Sequence, residues 1–213
     1  MPALLRGRRS ALRIGVLSDV HARLDALERA LVVLGRAGVD RLVCLGDVVE
    51  KGPDPDRVVE RLDRLLVPTV RGNHDDNAVA HAALEPAAAG MSADTLGWLA
   101  ALPLCREYAW AGRFVSLAHA SLSDNGSGVR PGRVPKMMRR ALRSCDADVV
   151  LLGHTHIPMR MRYGDRWLCN PGSVSLGRGA SGSSCAVLSL PDLSFEIYAL
   201  PSGERLEIGD AWV

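Results

Sequence analysis

Five of the six histidines in this chain sit in short motifs, and those motifs, with one Gly-Asp pair, also bring carboxylates and an amide. The motifs are Asp19-Val20-His21, Gly46-Asp47, Gly72-Asn73-His74-Asp75, Ala118-His119-Ala120 and Gly153-His154-Thr155-His156; only His81 lies outside them. Imidazole, carboxylate and amide donors together suit borderline divalent cations such as manganese, iron, zinc or nickel better than calcium, which takes oxygen ligands. A single histidine is more often a satisfied polar residue than a ligand. Five of them beside two aspartates and an asparagine reverse that expectation. The i, i+2 spacing in Asp19-Val20-His21 and His154-Thr155-His156 would turn both members of a pair to one side of an extended segment, so each pair could address one metal.

The elements that must position these motifs follow from hydrophobic periodicity. Leu12–Leu17 reads as a strand, and Leu24, Leu27, Leu31 and Leu34 recur at helical spacing until Gly35 and Gly38. The same order returns as a strand over Arg41–Leu45, a loop over Gly46–Pro55, a helix through Val58, Val59, Leu62 and Leu65, and a strand over Val67–Val70. This alternation predicts a largely parallel sheet covered on both faces. Helices are expected near Asp75–Ala83 and Ser92–Ala101, then strands over Arg106–Ala109 and Phe114–Ala118. A long Gly/Ser/Pro loop over Ser121–Pro135 precedes a basic helix near Lys136–Arg143 and a strand over Val149–Leu152. The last third reads as strands and turns, Met159–Tyr163, Arg166–Cys169, Ser184–Leu190 and Phe195–Leu200, which are expected to close a second sheet. Each motif begins where a predicted strand ends. All five should therefore converge at the carboxyl edges of the strands, the place where open α/β sheets bind ligands.

The motif set D-x-H, G-D, G-N-H-D/E, H and G-H-x-H, in this order across residues 19 to 156, resembles that of the calcineurin-like metallophosphoesterase superfamily, in particular its small bacterial and archaeal phosphodiesterase branch. The resemblance implies an α/β fold, a two-sheet αββα sandwich with flanking helices. It also implies two divalent metal ions per chain, manganese first and iron, zinc, nickel or magnesium as alternatives. Carried over residue by residue, Asp19, His21, His156 and the bridging Asp47 would hold one metal, and Asp47, Asn73, His119 and His154 the other. A hydroxide shared between the two cations would be the nucleophile, so no serine or cysteine is required. His74 would donate a proton or stabilise charge, with Asp75 orienting it.

Gly46-Asp47-Val48-Val49-Glu50-Lys51-Gly52 resembles the G-D-x-V-D-R-G block of serine/threonine protein phosphatases and diadenosine tetraphosphate hydrolases, with Glu50 for Asp and Lys51 for Arg. Lys51 is a candidate phosphate-binding residue, but lysine lacks the planar bidentate fork of arginine. Those two enzyme types are the alternative activities. A retromer-subunit-like interaction scaffold is the alternative outside catalysis, and the complete ligand set argues against it. Relatives often carry glycine where Ala22 and Ala120 follow His21 and His119. Asn170-Pro171-Gly172-Ser173 reads as a turn that supports the metal loop.

Composition bounds the rest. The chain has 213 residues, 26 Lys and Arg against 24 Asp and Glu, and a net charge of +2, too little to argue for nucleic acid. The substrate is then expected to be a small phosphate ester. Residues 12–213 read as one domain behind a basic arm, residues 1–11, that is expected to be a frayed end. The run Arg130, Arg133, Lys136, Arg139, Arg140 and Arg143 could hold a polyanionic substrate, but a solvated helix face is the preferred reading. Five scattered cysteines read as reduced thiols. With no membrane span and no signal peptide, a cytoplasmic location is expected.

Overall fold

The computed structural model describes residues 11–85, 90–178 and 182–212, so the basic arm lies outside the described residues apart from Ala11. Strand β1 (Leu12–Leu17) leads into helix α1 (Leu24–Arg36), β2 (Arg41–Cys44) and α2 (Pro55–Arg64). Helices α3 (Asn73–Leu84) and α4 (Ala93–Ala101) follow, then β3 (Cys105–Trp110) and β4 (Arg113–Ala118). The long loop ends at α5 (Lys136–Ala141) and a 3-10 turn at Leu142–Ser144, before β5 (Val149–Leu151), β6 (Met159–Tyr163) and β7 (Arg166–Asn170). The chain closes with β8 (Ser184–Leu190), β9 (Ser194–Ala199), β10 (Arg205–Leu206) and β11 (Ala211–Trp212).

Two sheets result, ordered β10-β9-β8-β1-β2 and β11-β6-β7-β5-β4-β3. Three expectations are corrected. The first sheet is mixed: only β1 and β2 run parallel, while β8 pairs antiparallel with β1 from Leu12↔Leu190 to Val16↔Ala186. The C-terminal strands divide, β6 and β7 entering the second sheet and β8 and β9 returning to the first. Residues 67–70 make a single parallel bridge, Cys44↔Thr69, in place of a full strand.

Alternation along the strands builds the sandwich. Ile14 and Val16, Val43 and Leu45, Val115 and Leu117, and Val149 and Leu151 point inward to one buried cluster with Ala186, Leu188 and Ile197. The opposite faces are covered by helices. Leu27, Leu34, Val58, Leu62 and Leu99 of α1, α2 and α4 pack on Leu17, Cys44 and Val187, while Met138 of α5 and the adjoining Leu142 pack on Val150, Met161 and Leu168. This is the αββα order of layers. Each fully buried leucine or isoleucine contributes roughly 1.5–3 kcal/mol over an exposed one, which holds the strand ends and their loops in place.

Candidate metal centre

The five motifs meet at one end of the sandwich. Asp19 and His21 follow β1 and Asp47 follows β2, all in the first sheet, while His119 follows β4 and His154 and His156 follow β5 in the second. Asn73 and His74 open α3. The loops are tight: Asp19, His21, Ala22, Asp47, Glu50, Lys51, His154 and His156 all have φ between 51° and 67°, eight of the eleven non-glycine residues in that region among those described. Strain concentrated in this way marks sites that the surrounding fold over-determines. It also changes the reason for the i, i+2 pairs, whose backbone is left-handed rather than extended. Ala22 does adopt the conformation that glycine would favour, at φ 53°.

The donors form two groups that share one carboxylate. In the first group, His156 Nε2 lies 3.0 Å from Asp19 Oδ1 and 3.3 Å from His21 Nε2, and His21 Nε2 lies 3.9 Å from Asp47 Oδ2. One donor atom from each of these four residues falls within 4.8 Å of the others, a spacing that could surround one cation. In the second group, His119 Nε2 is 3.3 Å from Asp47 Oδ2 and 3.2 Å from Asn73 Oδ1, and Asn73 Oδ1 is 2.8 Å from His154 Nδ1. His154 and His156 therefore turn to different groups, against the reading that the pair serves one metal and in line with the ligand division implied by the resemblance.

The donor chemistry fits cations. His156 Nδ1 donates to Leu176 O at 2.7 Å and His119 Nδ1 to Leu45 O at 2.7 Å, so in each neutral ring the Nε2 lone pair faces the centre. His156 Nε2 then confronts Asp19 Oδ1, a buried acceptor with no hydrogen-bond donor. Two acceptors facing each other at this distance need a positive charge between them. The outer oxygens are already occupied: Asp19 Oδ2 accepts from Ser18 Oγ at 2.5 Å and the His154 N–H at 3.1 Å, and Asp47 Oδ1 accepts the His74 N–H at 2.9 Å.

Burial pushes the His21 imidazole down to about 4 and lowers that of His154 as well, so both rings are neutral at pH 7. His119 behaves oppositely. Burial works against its charge, but the hydrogen bond to Asp47 and the fields of Asp19 and Asp47 lift it to about 9. Burial likewise opposes the charge of Asp47, and contact with His119 and the His74 N–H overcomes it, holding the carboxyl well below the usual range. Without metal, a proton on His119 supplies the positive charge that the second group lacks.

The surroundings hold these loops. Gly72 passes so close to Asp47 that a Cβ there would sit 2.2 Å from Asp47 Oδ1. Asn170 Nδ2 donates to Gly153 O at 2.6 Å and Ser173 Oγ to Asp19 O at 2.9 Å, which gives the Asn-Pro-Gly-Ser turn its supporting role. The long loop folds over the second group: Asn125 Nδ2 donates to Arg71 O at 3.0 Å and Asp76 Oδ2 at 2.8 Å, and a Cβ on Gly128 would lie 2.6 Å from His154 Cδ2.

Asp75 is not the partner of His74. It is fully buried, and its carboxylate accepts the N–H groups of Val48 at 2.8 Å, Val49 at 3.2 Å and Gly72 at 2.8 Å, tying the Asp47 loop to the start of α3. Burial, with the field of Asp47, pushes it up to about 6. The group against His74 Nδ1 is the Glu50 carboxylate. Sequence reasoning passed over Glu50, although its place in the Gly46–Gly52 block, as glutamate for aspartate, marked it. Lys51 Nζ lies 3.4 Å from His21 Nε2, beside the first group. His81 stands away from both groups, exposed on α3.

Two other features fall outside the centre. The cysteines are free; burial pushes Cys44 and Cys185 up to about 12, so neither offers a thiolate. Residues Lys136, Arg139, Arg140 and Arg143 line a separate groove with Met137 and Tyr163, and their side chains are exposed while Met138 is buried. Of the six basic residues, Lys136, Arg139 and Arg140 are thus exposed on α5 and Arg143 on the 3-10 turn after it.

A family model for the calcineurin-like phosphoesterase superfamily domain matches residues 12–192. The chain is 29% identical over 196 residues to the phosphodiesterase YfcE of Escherichia coli (strain K12), covering 86% of this chain and 90% of that protein. The structure of YfcE superposes with a TM-score of 0.64 over 92% of this chain and 97% of its own. A metallophosphoesterase from Sphaerobacter thermophilus, 28% identical, superposes with a TM-score of 0.70 over 93% of this chain and 89% of its own. Vacuolar Protein Sorting 29 from Cryptosporidium parvum shares the fold, with a TM-score of 0.61 over 92% of this chain and 95% of its own, at 16% identity. Motif order, sandwich topology and the paired donor groups thus have one common explanation: the chain belongs to the calcineurin-like phosphoesterase superfamily.

Proposed function

We propose that this chain is a phosphodiesterase that works with two divalent cations, one held by Asp19, His21, His156 and Asp47 and the other by Asp47, Asn73, His119 and His154. The observation that carries the reading is Asp47 Oδ2, 3.9 Å from His21 Nε2 on one side and 3.3 Å from His119 Nε2 on the other. A carboxylate oxygen between two sets of lone pairs is the donor that a dinuclear site shares. When bound, the cations would supply electrophilic charge to the phosphoryl oxygens and acidify water at neutral pH.

The protein's own groups do the rest. With Nδ1–H engaged by Glu50, the free nitrogen of His74 is Nε2, and in the imidazolium form its Nε2–H is the proton passed to the departing oxygen, leaving the neutral ring bound to Glu50. Glu50 sets the tautomer and orientation of the ring; Asp75 holds the loop backbone. Lys51, close to His21, offers one flexible cation to a phosphoryl oxygen. A single ammonium neutralises one charged oxygen without gripping two, which favours the monoanionic diester over the dianionic monoester. The 29% identity to a protein named as a phosphodiesterase points the same way. Manganese is the resident metal proposed, residues 12–213 the catalytic unit and the cytoplasm its setting, the last in keeping with five free thiols.

Protein loaded with manganese should bind two cations per chain by elemental analysis and hydrolyse bis(4-nitrophenyl) phosphate. Phosphoserine peptides turned over far faster than any diester would move the assignment to a protein phosphatase. A full metal complement with no esterase activity would favour the interaction scaffold.

A further inference from the structure

A cavity of about 470 Å³ adjoins the crevice on the side of His74. Glu50 and Lys51 form its inner end, and its walls are Pro53, Pro55, Ala78, His81 and Met91. That volume lies within the range of small-molecule sites. Helix α3 sets its direction: His74, Ala78 and His81 are spaced i, i+4 and i+7, hence on one helical face, and seven residues advance about 10 Å. The cavity therefore extends from Glu50, which abuts His74, to a histidine two turns farther along the helix.

Among the described residues that line it, the charged ones, Glu50 and Lys51, lie at one end. The Glu50 carboxylate is engaged by His74 Nδ1 and the Lys51 ammonium lies 3.4 Å from His21 Nε2, so both sit at the end next to the metal-ligand candidates. The outer part offers two proline faces, a methyl group, the thioether of Met91 and the exposed imidazole of His81. Such a lining packs a flat ring and hydrogen-bonds it at one point, whereas it leaves an anionic group without a counter-charge.

We infer that this cavity binds the departing arm of the substrate, and that the arm is a neutral, ring-bearing alcohol of aryl or nucleoside type, selected by His81 and Met91. The inference rests on the phosphodiesterase reading above and narrows its substrate class. Phosphopeptides with acidic neighbours and polyphosphate chains, whose departing arms carry negative charge, are disfavoured by the same lining.

The test uses the full chain loaded with manganese and two methyl phosphodiesters, one releasing 4-nitrophenol and the other 3-carboxy-4-nitrophenol. The carboxylated arm should lower kcat/KM by about tenfold or more, chiefly through KM. His81→Lys should reduce that difference to about threefold or less by supplying the missing charge, and Met91→Ala should raise KM for the neutral ester by roughly threefold to tenfold with kcat nearly unchanged. Inhibition by inorganic phosphate, which has no arm, should be the same in all variants. If both esters turn over and phosphate inhibits, yet neither variant moves KM, the cavity is not the arm's site and the phosphodiesterase reading stands. If no ester is hydrolysed and phosphate does not inhibit, the reading of the centre fails and the inference with it.

Discussion

The two halves of the proposed metal centre are built from the same kinds of donors yet differ in burial and in protonation. Asp19, His21 and His156 are at most 4% exposed, whereas Asn73 and His154 of the other half are partly open beneath the long loop. Burial drives His21 to about 4, so in the inner half a cation meets this histidine already neutral. His119, paired with Asp47, is lifted to about 9, and a cation entering the outer half must displace its proton. Similar ligands can thus form a closed, ready half and an open, proton-gated one, according to which carboxylate oxygen faces which ring.

The largest test removes what the halves share. Asp47→Asn should abolish activity and reduce metal content below two per chain, because the outer half loses its one carboxylate and the inner half one of its two. Two retained cations by elemental analysis would show that the halves are independent.

Changing His74, which belongs to neither half, should separate chemistry from metal binding. His74→Asn is expected to leave two cations in place while turnover falls by about 10²–10⁴-fold. The loss should be smaller for nitrophenyl than for alkyl esters, since an acidic leaving group needs less help. Glu50→Gln should show the same leaving-group pattern at smaller amplitude. A His74 variant emptied of metal would instead place this residue among the ligands.

The protonation difference predicts a pH effect of roughly tenfold per unit. In metal-free protein, affinity of the outer half for a cation should rise with pH towards about 9 and then level off, as His119 loses its proton. Binding measured calorimetrically in buffers of different ionisation enthalpy should show close to one proton released at pH 7. The sign for metal-free protein is opposite. A folded pKa above the ordinary 6.5 gives stability that is full below 6.5 and is lost as pH rises through about 9, so the metal-free melting temperature should fall over that window. A pH-independent affinity of the outer half in metal-free protein would remove the distinction between the halves.

The smallest expected effect is at Asp75. Asp75→Asn keeps the shape but turns one acceptor into a donor facing backbone N–H groups, at about 1–3 kcal/mol of stability. The activity that remains should keep its leaving-group dependence, because Asp75 does not touch His74. A leaving-group pattern like that of His74→Asn would restore Asp75 as the orienting residue.

Much was determined by local sequence alone. Apolar residues at period two or at helical spacing placed nearly every strand and helix, and Asp19, Asp47, Asn73, His119 and His154 at their ends were enough to point to a metal site, while its division between two cations came from the family resemblance. Periodicity cannot name a strand's partner, however. β8 reads as a strand from its own residues, but its place beside β1, some 170 positions away in the chain, depends on which sheet face remains to be covered. The partner of His74 was likewise decided by tertiary structure. Asp75 is adjacent in sequence, yet neighbours on a helix point about 100° apart, while Glu50 reaches the ring from a separate loop in the left-handed region at φ 64°. Residue types state what chemistry is available; only the packing of the two sheets brings Asp47 between both donor groups and leaves His119 holding the proton.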